Sequence, residues 1–203
     1  MNKKFATISG LVIGIVTFAI LGGCGNSTVQ DAKVNDNNVS SLKSEEIVGF
    51  TKYSNPASKF TIQYPTDWTT EGEEIDKTSG SYAIAFLPPL KDGESKGANV
   101  FVFAKDMSSD PQTLEQYTKL SLEAMKEAID GPEIVTDSVA VLAGLPAHKF
   151  IIKGTQSGTS LEWYQLYTIK NDMLYQLTFT AEPNKYAEQI KNVEQMADTL
   201  EIL

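Results

Sequence analysis

Hydrophobic and polar positions follow three successive patterns along the chain. From Phe5 to Leu21 apolar residues run almost without interruption, broken only by Thr7, Ser9, Thr17 and two glycines, with Lys3 and Lys4 ahead of them. A basic start followed by a short apolar stretch is the layout of an export leader. The stretch is short for a membrane span, which takes about 20 helical residues, and Gly10 and Gly14 weaken it as a helix. The pattern then reverses. Gly25 to Glu46 is rich in Asn, Ser and Asp and nearly free of large apolar side chains. Such a segment cannot bury enough surface to offset its ordering entropy, so it reads as a tether. As a flexible coil its 22 residues have a mean span of about 26 Å.

From Val48 onward the pattern is that of a folded domain. Phe60, Ile62 and Tyr64 alternate with Thr61 and Gln63, the period of a half-buried strand, which Pro65 ends. Trp68 is expected to fold back on the same core. Tyr82 to Leu87 and Ala98 to Ala104 read as strands. In the second, Val100 and Val102 face one way and Phe101 and Phe103 the other, so the sheet should be covered on both sides there. A helix follows, capped by Thr113 with Gln116 three residues on. Leu114, Tyr117, Met125 and Ala128 line one side, Leu120 and Ala124 flank them, and Gly131-Pro132 is expected to stop the helix. Four strands come next, Glu133 to Leu142, Ala147 to Gly154, Ser160 to Lys170 and Met173 to Ala181. Their short separators "AGLP", "TQSGT" and "ND" favour an antiparallel meander. A last helix from Pro183 to Leu200 carries Tyr186, Ile190, Val193, Ala197 and Leu200 on one stripe.

These elements predict an α+β fold, an α/β/α sandwich with a central antiparallel sheet flanked by helices. The organisation is a leader over residues 1–23, a modified cysteine and flexible tether over 24–47, and one domain over 48–203. No internal repeat or second linker is visible.

Charge and cysteine usage narrow the function. The formal net charge is −9, and removal of Lys3 and Lys4 with the leader takes it to −11. All 17 basic residues are lysines. So acidic a chain has no electrostatic footprint for nucleic acid, and anionic headgroups would repel it. The absence of arginine removes the planar fork that grips phosphates and carboxylates at two points. Cys24 is the single cysteine. Leu21-Gly22-Gly23-Cys24 resembles the lipobox of bacterial lipoproteins, in which the sulfur receives a diacylglycerol, the peptide is cut before the cysteine, and the new amino terminus is acylated. Two or more chains give stable anchoring where one gives reversible attachment. On this reading the partner of Cys24 is the membrane, at the outer face of the bacterial cytoplasmic membrane, and no thiol remains for a disulfide, a zinc site or catalysis. A signal anchor with an incidental cysteine is the alternative.

Several residue groups could carry chemistry. Gly93-Glu94-Ser95-Lys96-Gly97 matches G-x-S-x-G, with His148 downstream and Asp106, Asp110, Asp130 and Asp137 between, the chain order of an α/β-hydrolase triad. The context is a polar loop entering a strand, whereas the nucleophile needs a sharp strand-to-helix turn. His148 is the only histidine, which excludes multi-histidine zinc sites. It shares a strand face with Phe150 and Ile152, opposite Lys149, Ile151 and Lys153. A hydrogen-bonded histidine at the end of the sheet is the plainer reading, with contact to a partner or an ion as the functional one. Glu71, Glu73, Glu74 and Asp76 cluster in "EGEEID", and flexible acidic loops can supply the six to eight oxygens that calcium takes. Their spacing is not that of a dedicated calcium loop, and a solvated acidic face is the default. Trp163, Tyr167 and Ile169 share one strand face, Tyr164 and Leu166 the other. Most should be core, but an exposed Trp163 would mark a partner contact.

Taken in order, several short pieces resemble the PsbP family. They are Tyr64-Pro65 with Trp68 beyond, Asn99-Val100 opening a strand, Leu114-Glu115-Gln116-Tyr117 at a helix start, Gly144-Leu145-Pro146-Ala147 at a turn, and "YQLTFTA" from Tyr175 to Ala181. The resemblance runs from about Phe50 to Leu203. It implies the same sandwich fold, no enzymatic activity, and a domain that binds or helps assemble a membrane protein complex. The best-known members are extrinsic subunits of photosystem II that help retain calcium and chloride, so calcium or manganese is the ion the resemblance suggests. Two other readings stay open: a serine hydrolase using Ser95 and His148, and a small-ligand or ion carrier with a concave polar pocket.

Overall fold

A computed structural model describes residues 45–55, 59–76, 81–91 and 98–203. The expected leader, Cys24 and the expected tether up to residue 44 lie outside the described residues. Among the described residues are ten strands and two helices. The strands are β1 (Phe50–Asn55), β2 (Phe60–Pro65), β3 (Thr69–Asp76), β4 (Ser81–Leu87), β5 (Ala98–Asp106), β6 (Asp130–Leu142), β7 (Leu145–Gln156), β8 (Thr159–Lys170), β9 (Met173–Ala181) and β10 (Glu201–Ile202). Helix α1 (Leu114–Ala128) separates β5 from β6, and α2 (Pro183–Asp198) separates β9 from β10.

Seven strands form one antiparallel sheet in the order β3-β4-β5-β9-β8-β7-β6. The meander from β6 to β9 closes through three two-residue turns, at Ala143-Gly144, Ser157-Gly158 and Asn171-Asp172, and all six residues have positive φ. This is the type I′ geometry whose twist matches that of the flanking strands, and it explains why such short separators suffice. The sheet is covered on both sides, as the mixed apolar faces of β5 require. On one side Val100, Val102, Leu177, Phe179 and Tyr164 pack with Val193, Met196 and Ala197 of α2. On the other, Phe150, Ile152, Trp163 and Tyr167 pack with Met125 of α1.

The sandwich is thus present, with an addition the sequence pattern did not disclose. A small sheet, β1-β2-β10, joins α2 in covering the first side, and Phe60, Ile62 and Trp68 belong to the same core as α2. Its closing strand, β10, is two residues long, too short for any periodicity to register. The chain turns into it at Thr199, whose hydroxyl donates to Met196 O (2.8 Å) and accepts from Gln63 N (2.9 Å). Gln63 also holds the chain ahead of β1. Its side-chain carbonyl accepts from Ile47 N (2.9 Å) and its amide donates to Glu45 O (2.8 Å). The last residues of the predicted tether are therefore already tied to the domain.

Two local expectations are corrected. Gly131-Pro132 does not stop α1: the helix ends at Ala128, Ile129 is extended, and β6 begins at Asp130. Gly131, at φ 61, sits inside β6 where the register with β7 slips between Asp130 and Glu133. A glycine with positive φ and a proline without an N–H are what a bulge on an edge strand accommodates. The acidic run Glu71–Asp76 is not a loop but part of edge strand β3, bulged between Glu71 and Glu74. No helix among the described residues is long and apolar enough to cross a membrane.

Candidate functional site

The one histidine stands at the β6–β7 hairpin. Register places His148 opposite Val139 on β6 and opposite Tyr167 on β8, while Asp137 is opposite Phe150. Asp137 is therefore the diagonal neighbour of His148 on the same sheet face. His148 Nε2–H donates to Asp137 Oδ1 at 2.8 Å. This bond leaves Nδ1 as the acceptor of the neutral ring. The ring packs on Phe150 (centroids 4.8 Å) and Tyr167 (6.0 Å), and its side chain is largely buried while that of Asp137 is half exposed. Of the four aspartates between Ser95 and His148, this is the one bonded to the histidine. Asp106 instead accepts from Ser108 N (2.8 Å), and hydrogen bonds from the side chain and backbone of Ser108 hold its carboxyl below the usual range.

A polar seam beneath α1 adjoins this pair. Tyr167 Oη donates to Thr118 Oγ1 (2.9 Å), Tyr117 Oη to Gln176 Oε1 (2.9 Å), and Ser121 Oγ to Gln165 Oε1 (3.1 Å). Gln176 Nε2 continues the chain to Thr178 Oγ1 at 3.0 Å. Burial raises both phenols, Tyr117 and Tyr167, well above the ordinary tyrosine range. They stay protonated at neutral pH and act as fixed donors that seat the helix. Sequence periodicity missed this seam because it scores Ser121 as an interruption in an apolar stripe. The signal was available: Ser121 is at the stripe's central position and faces Gln165, the polar residue between Trp163 and Tyr167.

The other predicted residues fall as follows. Cys24 and Ser95 lie outside the described residues. Ala98, three residues after Ser95, is aligned across β9 and β8 with Lys153 of β7, five residues from His148. At sheet spacings that puts Ala98 roughly 20 Å from His148, about twice what three extended residues span. Trp163 is only 4% exposed, opposite Thr180 and Ile152 in the core under α1, which corrects its reading as a partner contact. A large ring at the centre of a covered face is spent on packing. Glu71 is exposed opposite Ala85, and Glu74 and Asp76 are paired through their backbones with Ala83 and Ser81; the side chains of Glu73, Glu74 and Asp76 lie outside the described residues. Among the described residues, no group of three or more His, Cys, Asp or Glu side chains comes together for a metal ion.

Comparison with known proteins agrees with the fold. A family model described as PsbP-like protein matches residues 6–202. The chain is similar in structure to cyanobacterial PsbP (CyanoP) from Synechocystis sp. PCC 6803, with a TM-score of 0.56 at 11% identity over 81% of this chain and 99% of that one. It is also similar to LpqN of Mycobacterium tuberculosis, a protein described as involved in cell envelope biogenesis, with a TM-score of 0.51 at 13% identity over 75% of this chain and 90% of that one. No curated protein matches. Identities this low speak for the fold alone. Since the family match extends over nearly the whole length, the chain belongs to the PsbP-like protein family.

Proposed function

We propose that this protein is a lipoprotein anchored at the outer face of the bacterial cytoplasmic membrane, whose PsbP-like domain has no enzymatic activity and binds or helps assemble a membrane protein complex. The observation that carries this reading is Leu21-Gly22-Gly23-Cys24, the lone cysteine placed where an apolar leader meets a polar tether. The domain's chemistry fits a binding role. His148 is engaged by one carboxylate and two aromatic rings, and the buried phenols hold their protons at neutral pH. Confinement supplies the mechanism: acyl chains keep the domain in a thin layer above the lipid, where a high effective concentration populates even a weak protein contact.

The test is Cys24→Ser. The parent should be cleaved before Cys24, carry acyl mass on that residue and sediment with membranes, while the variant should stay uncleaved and unlipidated. A variant processed and membrane-bound like the parent would overturn the anchor. A parent recovered from the soluble fraction with a bare thiol would do the same.

A further inference from the structure

The two edges of the seven-stranded sheet are defended differently. Strand β3 carries the acidic run and a bulge beside Gly72, devices that keep a second strand from pairing. The first half of β6 is defended in the same way, by the bulge at Gly131-Pro132, a second register slip between Ile134 and Thr136, and exposed Asp130 and Glu133. Its second half is not. Ser138–Leu142, "SVAVL", is regular, uncharged and rich in β-branched residues, and among the described residues no strand pairs with its outer edge. Val139 is 88% exposed and Val141 70% exposed, on the face that holds Asp137 and His148. Large apolar side chains so open on a bare edge are what a protein ordinarily removes.

We propose that Ser138–Leu142 is a strand-addition site, on which an extended partner segment with alternating β-branched residues and flanking lysines or arginines pairs with β6. The inference rests on the binding role proposed above and names its surface. Main-chain groups of β6 that point outward supply the hydrogen bonds, and Val139 and Val141 pair with the partner's alternate side chains. Charge selects a basic segment: exposed Asp130, Glu133 and Asp137 lie along the same strand, on a chain whose net charge is −9. The same charge disfavours a second copy, which would bring two acidic domains together.

The probe is a short synthetic peptide alternating threonine and valine between lysine ends, with a glutamate-ended version as control, added to the full chain in detergent micelles. Amide hydrogen exchange at Ser138–Leu142 should slow by about tenfold or more with the lysine peptide, and much less with the glutamate peptide. Val139→Lys and Val141→Lys, at positions open enough to leave the melting temperature unchanged, should each abolish the protection. No protection by the lysine peptide, or equal protection by both peptides, overturns the proposal. So does dimerisation of the parent chain that Val139→Lys abolishes, which would give the edge to a second copy. These readouts do not depend on acylation of Cys24, so their failure is distinguishable from failure of the anchor.

Discussion

Gly154 has no visible role in the sequence, where it is the last residue of a predicted strand. In the fold a Cβ there would stand 2.2 Å from Ile129 Cγ2 and 3.2 Å from Asp130 O. The γ-methyl of a β-branched residue cannot swing away freely, and the backbone oxygen behind it limits any shift. Gly154→Ala should destabilise the domain by about 1–3 kcal/mol, measured by denaturant unfolding, and the loss should shrink in an Ile129→Ala background. An unchanged midpoint would mean that the junction between α1 and β6 is looser than the packing implies. Asp137 teaches the complementary lesson. It was one of four aspartates of equal standing in the sequence, and only counting rungs outward from the Ala143-Gly144 turn makes it the neighbour of His148.

Among the elements, those with a strong period or a chemical boundary signal were legible. Thr113 and Gln116 form the predicted capping box in both directions, Gln116 N donating to Thr113 Oγ1 (3.2 Å) and Thr113 N to Gln116 Oε1 (2.8 Å). Thr113→Ala should therefore cost about 1 kcal/mol, with hydrogen exchange accelerating first in the opening turn of α1. Equal acceleration throughout the domain would argue against a local cap. Helix α2 has no side-chain cap and begins with Pro183, so it leans on burial of Val193, Met196 and Ala197. Strands β1, β3 and β10 were not legible. Each lies at the margin of its sheet or is very short, and the sequence of β3, TTEGEEID, lacks the apolar alternation that marks a strand. Gly131-Pro132 reads as a helix stop in the sequence because the pair has the same local preferences in a bulge as after a helix.

For the whole molecule, burial of tyrosines sets a prediction in pH. Desolvation raises Tyr117, Tyr164, Tyr167, Tyr175 and Tyr186 above the ordinary value of 10, Tyr164 to about 12. The folded chain keeps these protons where the unfolded chain has released them. The stability they contribute is complete below pH 10 and is lost as pH rises through the folded-state values, from 10 toward 12 and beyond. The melting temperature should hold steady to about pH 9 and then fall, and phenolate absorbance of these residues should rise only with unfolding. Titration of all eight tyrosines together near pH 10 in the native protein would contradict the burial. By itself the sequence determined the covered antiparallel meander, both helices and the acidic surface, because period, turn chemistry and charge are local properties of a chain. Only the tertiary structure decided which aspartate meets His148, that Trp163 is core, that a small sheet closes beside α2, and which edge is left bare. Those depend on register and on what lies across the sheet, which residues distant in sequence settle together.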